Sequence, residues 1–172
     1  MSDRELLKRL GSGEAIDELA SGCGWDRAAF DEWWSKVAVS RLPDFESTLD
    51  VQVEAGVRIV RDDRGIPHVL AENDTDLFLG FGLAMAQDRL FQLDYLRRKG
   101  LGRLAEILGS DGLETDLIAR TVGLNRIAAA HWAVLPEEAR RLTESFASGI
   151  NAHIDSLTEE TWPVEFDLLD YR

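Results

Sequence analysis

The sequence predicts an α+β chain that is mostly helical and carries one β-hairpin. Three observations lead there. Apolar residues recur at three- and four-residue steps through most of the 172 positions, the spacing of helices with a buried face. Between residues 51 and 71 the period shortens to two, the spacing of strands. Clusters of Gly, Ser and Pro separate these stretches.

Residues 1–41 read as three short helices. Ser2 or Asp3 caps the first, which runs to about Leu10 before Gly11-Ser12-Gly13. Ser12 or Gly13 opens the second, broken at Ser21-Gly22-Cys23-Gly24. The third spans about 26–41, with Phe30, Trp33, Trp34 and Val37 on one side, and ends at Leu42-Pro43. Residues 43–50 read as a linker.

Val51, Val53, Val57 and Ile59 then alternate with polar residues, Asp62-Asp63-Arg64-Gly65 is a turn sequence, and Ile66 to Ala71 is the returning strand. A lone two-stranded ribbon is marginal in water. The hairpin therefore packs on the helix that follows, or it completes a sheet with another chain.

That helix is expected from an Asn73 or Asp74 cap to about Arg98, with Asp76 placed to favour the N-terminal dipole. From Leu77 to Ala86 it is apolar round most of its circumference, so it is buried on several sides, and Gly80 and Gly82 mark a close neighbour. Gly100 and Gly102 end it. Shorter helices are expected at 102–108, 113–120 and 123–134. Another runs from Pro136 to about Leu157, with the stripe Ala139, Leu142, Phe146, Ile150, Ile154, Leu157. Trp162-Pro163 breaks the pattern, and the last ten residues read as irregular.

Composition narrows the function classes. Lys plus Arg number 19 and Asp plus Glu 32, a formal charge of −13, which disfavours phosphate backbones and anionic membranes as partners. Cys23 stands alone, so neither an intrachain disulfide nor a four-thiolate zinc site can form. No stretch of eighteen apolar residues exists to span a bilayer. The first nine residues, MSDRELLKR, lack the apolar segment of a secretory signal, so the expected location is the cytoplasm.

At residues 57–109 a family resemblance emerges. The segment Val57 to Val69 (VRIVRDDRGIPHV) resembles the opening hairpin of the penicillin acylase family, Ala84 to Leu93 (AMAQDRLFQL) its long helix, and Gly102-Arg103-Leu104-Ala105-Glu106 the turn after it. Leu113-Glu114-Thr115-Asp116 and Gly149-Ile150-Asn151-Ala152 follow in the family's order. The likeness covers roughly 51–172, which divides the chain into an N-terminal helical extension and linker (1–50) and a region similar to the family's α chain (51–172).

The resemblance implies a precursor that cuts itself into a smaller α chain and a larger β chain. The new N-terminal Ser of the β chain is the nucleophile and its own α-amino group the base, because a serine hydroxyl needs an adjacent base. It implies a four-layer αββα sandwich completed by the β chain, and hydrolysis of an amide through an acyl-enzyme. On this reading the present chain holds no catalytic, cofactor-binding or metal-ligating residue, and its substrate-binding residues are unassigned. The family's pocket helix and calcium-ligand carboxylate fall beyond Arg172, so a structural calcium belongs, by resemblance, to the assembled enzyme. The substrate is a small-molecule amide: a β-lactam side chain, an N-acyl homoserine lactone or an anilide. The rival is a non-catalytic helical interaction protein that kept the scaffold.

Individual residues are weighed against plainer roles. Ser2 would become N-terminal on loss of Met1, yet it precedes a helical pattern and reads as a cap. Cys23 lies far along the chain from His68, His131 and His153 and reads as a structural thiol. Gln87-Asp88-Arg89 places charges in an apolar helix, where they need partners. Scaffold pairs at the contact with the β chain are expected there. His68 reads as a packing or hydrogen-bonding residue, and Phe78, Phe81 and Phe91 as core. Residues 14–41 have a faint helix-turn-helix look, but Asp26 to Lys36 sets two bases against three acids, which argues against DNA. An arm that packs its tryptophans on the main body, or on another subunit, fits better.

Overall fold

A computed structural model describes residues 1–42, the backbone of 49–51, and residues 56–172. Three helices open the chain: α1 (Asp3–Gly11), α2 (Ile16–Gly22) and α3 (Arg27–Val39). Ser2 caps α1 by accepting from Glu5 N, and Asp26 caps α3 by accepting from Ala29 N. Helix α2 starts later than its sequence suggests and has no side-chain cap, because its N-cap residue is Ala15, which has no acceptor to offer. Leu6, Leu19, Ala20 and Phe30 form a core of their own, with Trp25 and Trp33 packed against it. Trp25 and Trp33 therefore pack on this core rather than on the main body. Three short amphipathic helices need a shared interior, and the rings of Trp25, Phe30 and Trp33 fill it, with centroids 5.5–5.7 Å apart.

Among the described residues the sheet has three strands, where the sequence led us to expect two. Strands β1 (Leu49–Val51), β2 (Val57–Arg61) and β3 (Pro67–Ala71) lie in that order, antiparallel. Leu49 faces Ile59 across the first pair, and Ile59 faces Val69 across the second. The continuous strand expected from Val51 to Ile59 is thus two strands, the second entered from Gly56 at a φ of +85°. The end of the expected linker belongs to β1; its remainder, and Val53, lie outside the described residues. In the β2–β3 turn Asp62 Oδ1 accepts from Arg64 N and Ile66 N, and Gly65 takes a φ of +74°.

Helix α4 (Asp74–Leu101) is capped by Asn73, whose side chain accepts from Asp76 N and donates to Asp76 Oδ2. The sheet lies on it through Val57, Ile59, Leu83 and Ala84, so the hairpin finds its cover within this chain. A Cβ at Gly80 would meet the side chains of Val57 and Val69. After Gly102 come α5 (Ala105–Leu108), a 3-10 turn, α6 (Leu113–Val122), α7 (Leu124–Val134) and α8 (Glu137–Ser156). Helix α8 packs along α4 with backbones in close approach: a Cβ at Gly82 would strike Phe146 O, and one at Gly149 would strike Leu79 O. The C-terminal stretch is not wholly irregular, because Val164–Leu168 forms α9, opened by Pro163. Phe166 of α9 is buried with Ala86 and Leu90, which gives that short helix its reason to form.

The N-terminal helices meet the body at α9. Gly11 abuts the Leu168 backbone. The Asp167 carboxylate, whose side chain is 0% exposed, accepts from Arg41 at 2.8 Å and Arg172 at 2.7 Å, with Arg4 at 3.5 Å. Lys8 pairs with Asp170 at 2.5 Å. No helix among the described residues is long and apolar enough to cross a membrane.

Candidate functional site

Helix α4 is interrupted at Arg89, which has φ −142° and ψ 28°. The interruption falls inside the Gln87-Asp88-Arg89 triplet, and three parts of the chain converge on it. Strand β2 sends Arg61, whose side chain is 3% exposed, to Asp88 Oδ1 at 2.8 Å and Gln87 Oε1 at 3.2 Å; it also donates to Gly65 O at 2.8 Å. The end of α3 brings Arg41 and Leu42, and the start of α9 brings Pro163, Val164 and Glu165. Between them lies a cleft of about 290 Å³, also walled by Arg89, Phe91 and Gln92. A smaller recess of about 120 Å³ adjoins it, where Gln87 meets His153, Leu157 and Thr161.

The expectation for the triplet divides. Asp88 finds its partner within this chain, in Arg61. Arg89 is exposed and has no hydrogen bond or ion pair among the described residues. Burial pushes the His153 imidazole below its ordinary value, with the Asp88 charge opposing, so the ring is neutral at neutral pH.

The other resemblance-bearing segments turn out to brace one another. Asp116 is buried and accepts from Leu104 N at 2.7 Å and Ala105 N at 2.9 Å, which fastens α6 to the start of α5. Arg120 Nε donates to Gly102 O at 2.7 Å, holding the turn in which Gly102 has a φ of +67°. Ser145 Oγ donates to Thr75 O at 2.6 Å. Near the end of α4, burial raises the Asp94 carboxyl but Arg98, Arg97 and the Tyr171 hydroxyl outweigh it, so the group is held below its usual range. Tyr171 lies under Arg98, 4.9 Å from guanidinium to ring centroid, and its hydroxyl is pushed up by burial and by Asp94.

Residues with a conceivable chemical role are accounted for in the same way. Ser2 caps α1. Cys23 packs beside the core of the N-terminal helices. His68 is exposed rather than packed, 3.5 Å from Asp62 Oδ2. Phe78 and Phe91 are half-buried, whereas Phe81 is exposed and touches Phe78 and Phe146 at the surface. Among the described residues no Ser, Thr or Cys side chain is hydrogen-bonded to a histidine ring, and no group of three or more His, Cys, Asp and Glu is placed to hold a metal. The interruption at Arg89 was not legible beforehand, because no Pro or Gly adjoins it; the charged triplet was its only signal.

The hairpin, the kinked helix and the braced turns occupy the span over which the sequence matches a known family. Residues 56–172 match the penicillin amidase family. This chain belongs to that family. It is 36% identical over 129 residues to penicillin acylase 2 proenzyme of Pseudomonas sp. (strain SE83), and 37% over 124 residues to penicillin G acylase of Escherichia coli. Those stretches are 74% and 70% of this chain but only 16% and 14% of the two relatives. An acyl-homoserine lactone acylase of Pseudomonas aeruginosa is 29% identical over 152 residues, 17% of its length. The fold also matches a thermostable penicillin G acylase from Alcaligenes faecalis, with a TM-score of 0.63 and 30% identity, over 72% of this chain and 64% of that one. The penicillin acylase resemblance read from the sequence is thereby established.

Proposed function

We propose that these residues are the α subunit of an amidohydrolase that cleaves an N-acyl amide bond, and that the chemistry is done on a separate β chain. The family match across 56–172 carries this reading. Relatives named for penicillin and for acyl-homoserine lactones share an acyl group on an amide nitrogen, so the substrate class is an N-acyl amide. The arrangement of hydroxyls agrees. Ser2 and Ser145 are engaged with backbone groups, and a hydroxyl without a base beside it is a weak nucleophile. The nucleophile is the N-terminal Ser of the β chain, its α-amino group the base, and the assembled enzyme a four-layer αββα sandwich. A structural calcium, where the enzyme has one, is held outside the residues described.

The test is to purify the protein under native conditions from its source organism, through a tag at Met1. Intact mass and N-terminal sequencing identify any second chain, and brief incubation with an N-acyl anilide precedes digestion. A second chain of several hundred residues that begins with Ser, and an acyl group on its first residue, are expected. A lone chain without hydrolytic activity, or an acyl group on a residue of these 172, would overturn the reading.

A further inference from the structure

Helix α7 has the sequence LNRIAAAHWAV and buries none of its eleven residues. A helix of that length is marginal in water and draws its stability from an apolar face laid against something else. The preceding helix continues the exposure: Leu117 is 68% exposed, and Ile118 and Val122 are more than half exposed. Ile127, Trp132 and Val134 extend it along α7, with Val134 at 79%. Between Leu77 and Ala86 of α4, which the sequence reads as buried on several sides, Gly80, Gly82, Leu83, Ala84 and Ala86 are covered by the sheet and α8, while Leu77 and Phe81 stay exposed. The surface that needs cover is α6–α7.

We propose that α6–α7 is the docking surface for the β chain, received by an apolar face of that chain; this rests on the function proposed above. Two observations favour that occupant. The matched stretches are 14–16% of the two penicillin acylases, so most of such a molecule lies outside a segment of this size and has to meet it somewhere. A second copy is a poor occupant, because each carries a formal charge of −13 and pairing two would bring like charges together. The composition fits a permanent contact, since Leu, Ile, Val and Trp with no acid from Leu117 to Val134 resemble a domain interior cut open.

Hydrogen exchange on the co-purified complex and on this chain alone reads the footprint. In the complex the amides of 113–134 are expected to exchange at least about tenfold more slowly. Ile127→Asp lies at an exposed position, so the chain still folds, and the recovered β chain is expected to fall at least about tenfold. A complex that forms while 113–134 exchanges as in the free chain overturns this inference and leaves the amidohydrolase reading standing. Normal recovery of the β chain with Ile127→Asp does the same. Should no second chain be found, both fall. Concentration-dependent protection of 113–134 in the isolated chain would then assign the face to a second copy.

Discussion

Removing the Asp88 carboxylate takes a counter-ion from Arg61, a side chain that is 3% exposed and cannot turn to water without leaving the interface between β2 and α4. Arg61 keeps Gln87 and Gly65 O, so the loss is that of one charged hydrogen bond rather than of every contact, about 1–3 kcal/mol. Asp88→Ala is therefore expected to lower the melting temperature of the purified protein by about 2–10 °C. Its neighbour behaves differently. Arg89 is exposed with no bonded partner among the described residues, so Arg89→Ala is expected to change stability by less than about 0.5 kcal/mol. Thermal melts of the two variants side by side check the assignment. Equal losses would mean that Arg89 is held by something outside this chain. The sequence identified the triplet as charges in need of partners. It did not indicate which one is paired, because the partner is 26–27 residues away on a strand whose register decides the contact.

The packing of α4 on α8 makes a prediction about sign. Gly to Ala inside a helix ordinarily stabilises by about 0.5–1 kcal/mol. Gly100, within α4, has open space where a Cβ would go, so Gly100→Ala is expected to show that gain. At Gly149 the same methyl group would run into the backbone of Leu79 and Leu83, which cannot rotate away. Gly149→Ala is expected to destabilise by about 1–3 kcal/mol, as overpacking does. Denaturant melts of the two variants read opposite shifts in midpoint, and a stabilised Gly149→Ala would mean that the helices are further apart than described. At this scale much was legible. Gly80 and Gly82 signalled a close neighbour, and Asn73, Gly102 and the switch from period two to period 3.6 marked the ends of β3 and α4. What stayed hidden depends on tertiary contact: β1 exists through pairing with β2, and α9 through the burial of Phe166. Helix α7 inverts the rule, because its apolar pattern reads as core and yet faces solvent.

For the molecule as a whole, the question is what joins residues 1–42 to the region that matches the penicillin amidase family, residues 56–172, since the N-terminal helices have their own core. Helix α1 packs on α9 with Gly11 against the Leu168 backbone, and the buried charge at that junction is Asp167. Its carboxylate sits between Arg41, Arg172 and Arg4, and only Arg41 shares its burial, with a side chain 6% exposed. Asp167→Leu leaves Arg41 charged, buried and unpaired, and Arg41 Nε has no hydrogen-bond partner to soften the loss. The cost is about 3–5 kcal/mol, while Arg4 and Arg172, being more exposed, can turn to water. If the clamp is electrostatic in this sense, removing the stranded charge repairs the damage. Asp167→Leu combined with Arg41→Met is expected to recover most of the lost stability, since buried pairs replaced by apolar residues of similar size are often neutral. Hydrogen exchange adds a readout of place, because α1 and α9 are expected to lose protection together in the single variant and regain it together in the double. A double variant as unstable as the single one would show that Asp167 acts through the backbone of α9 rather than through its guanidinium partners.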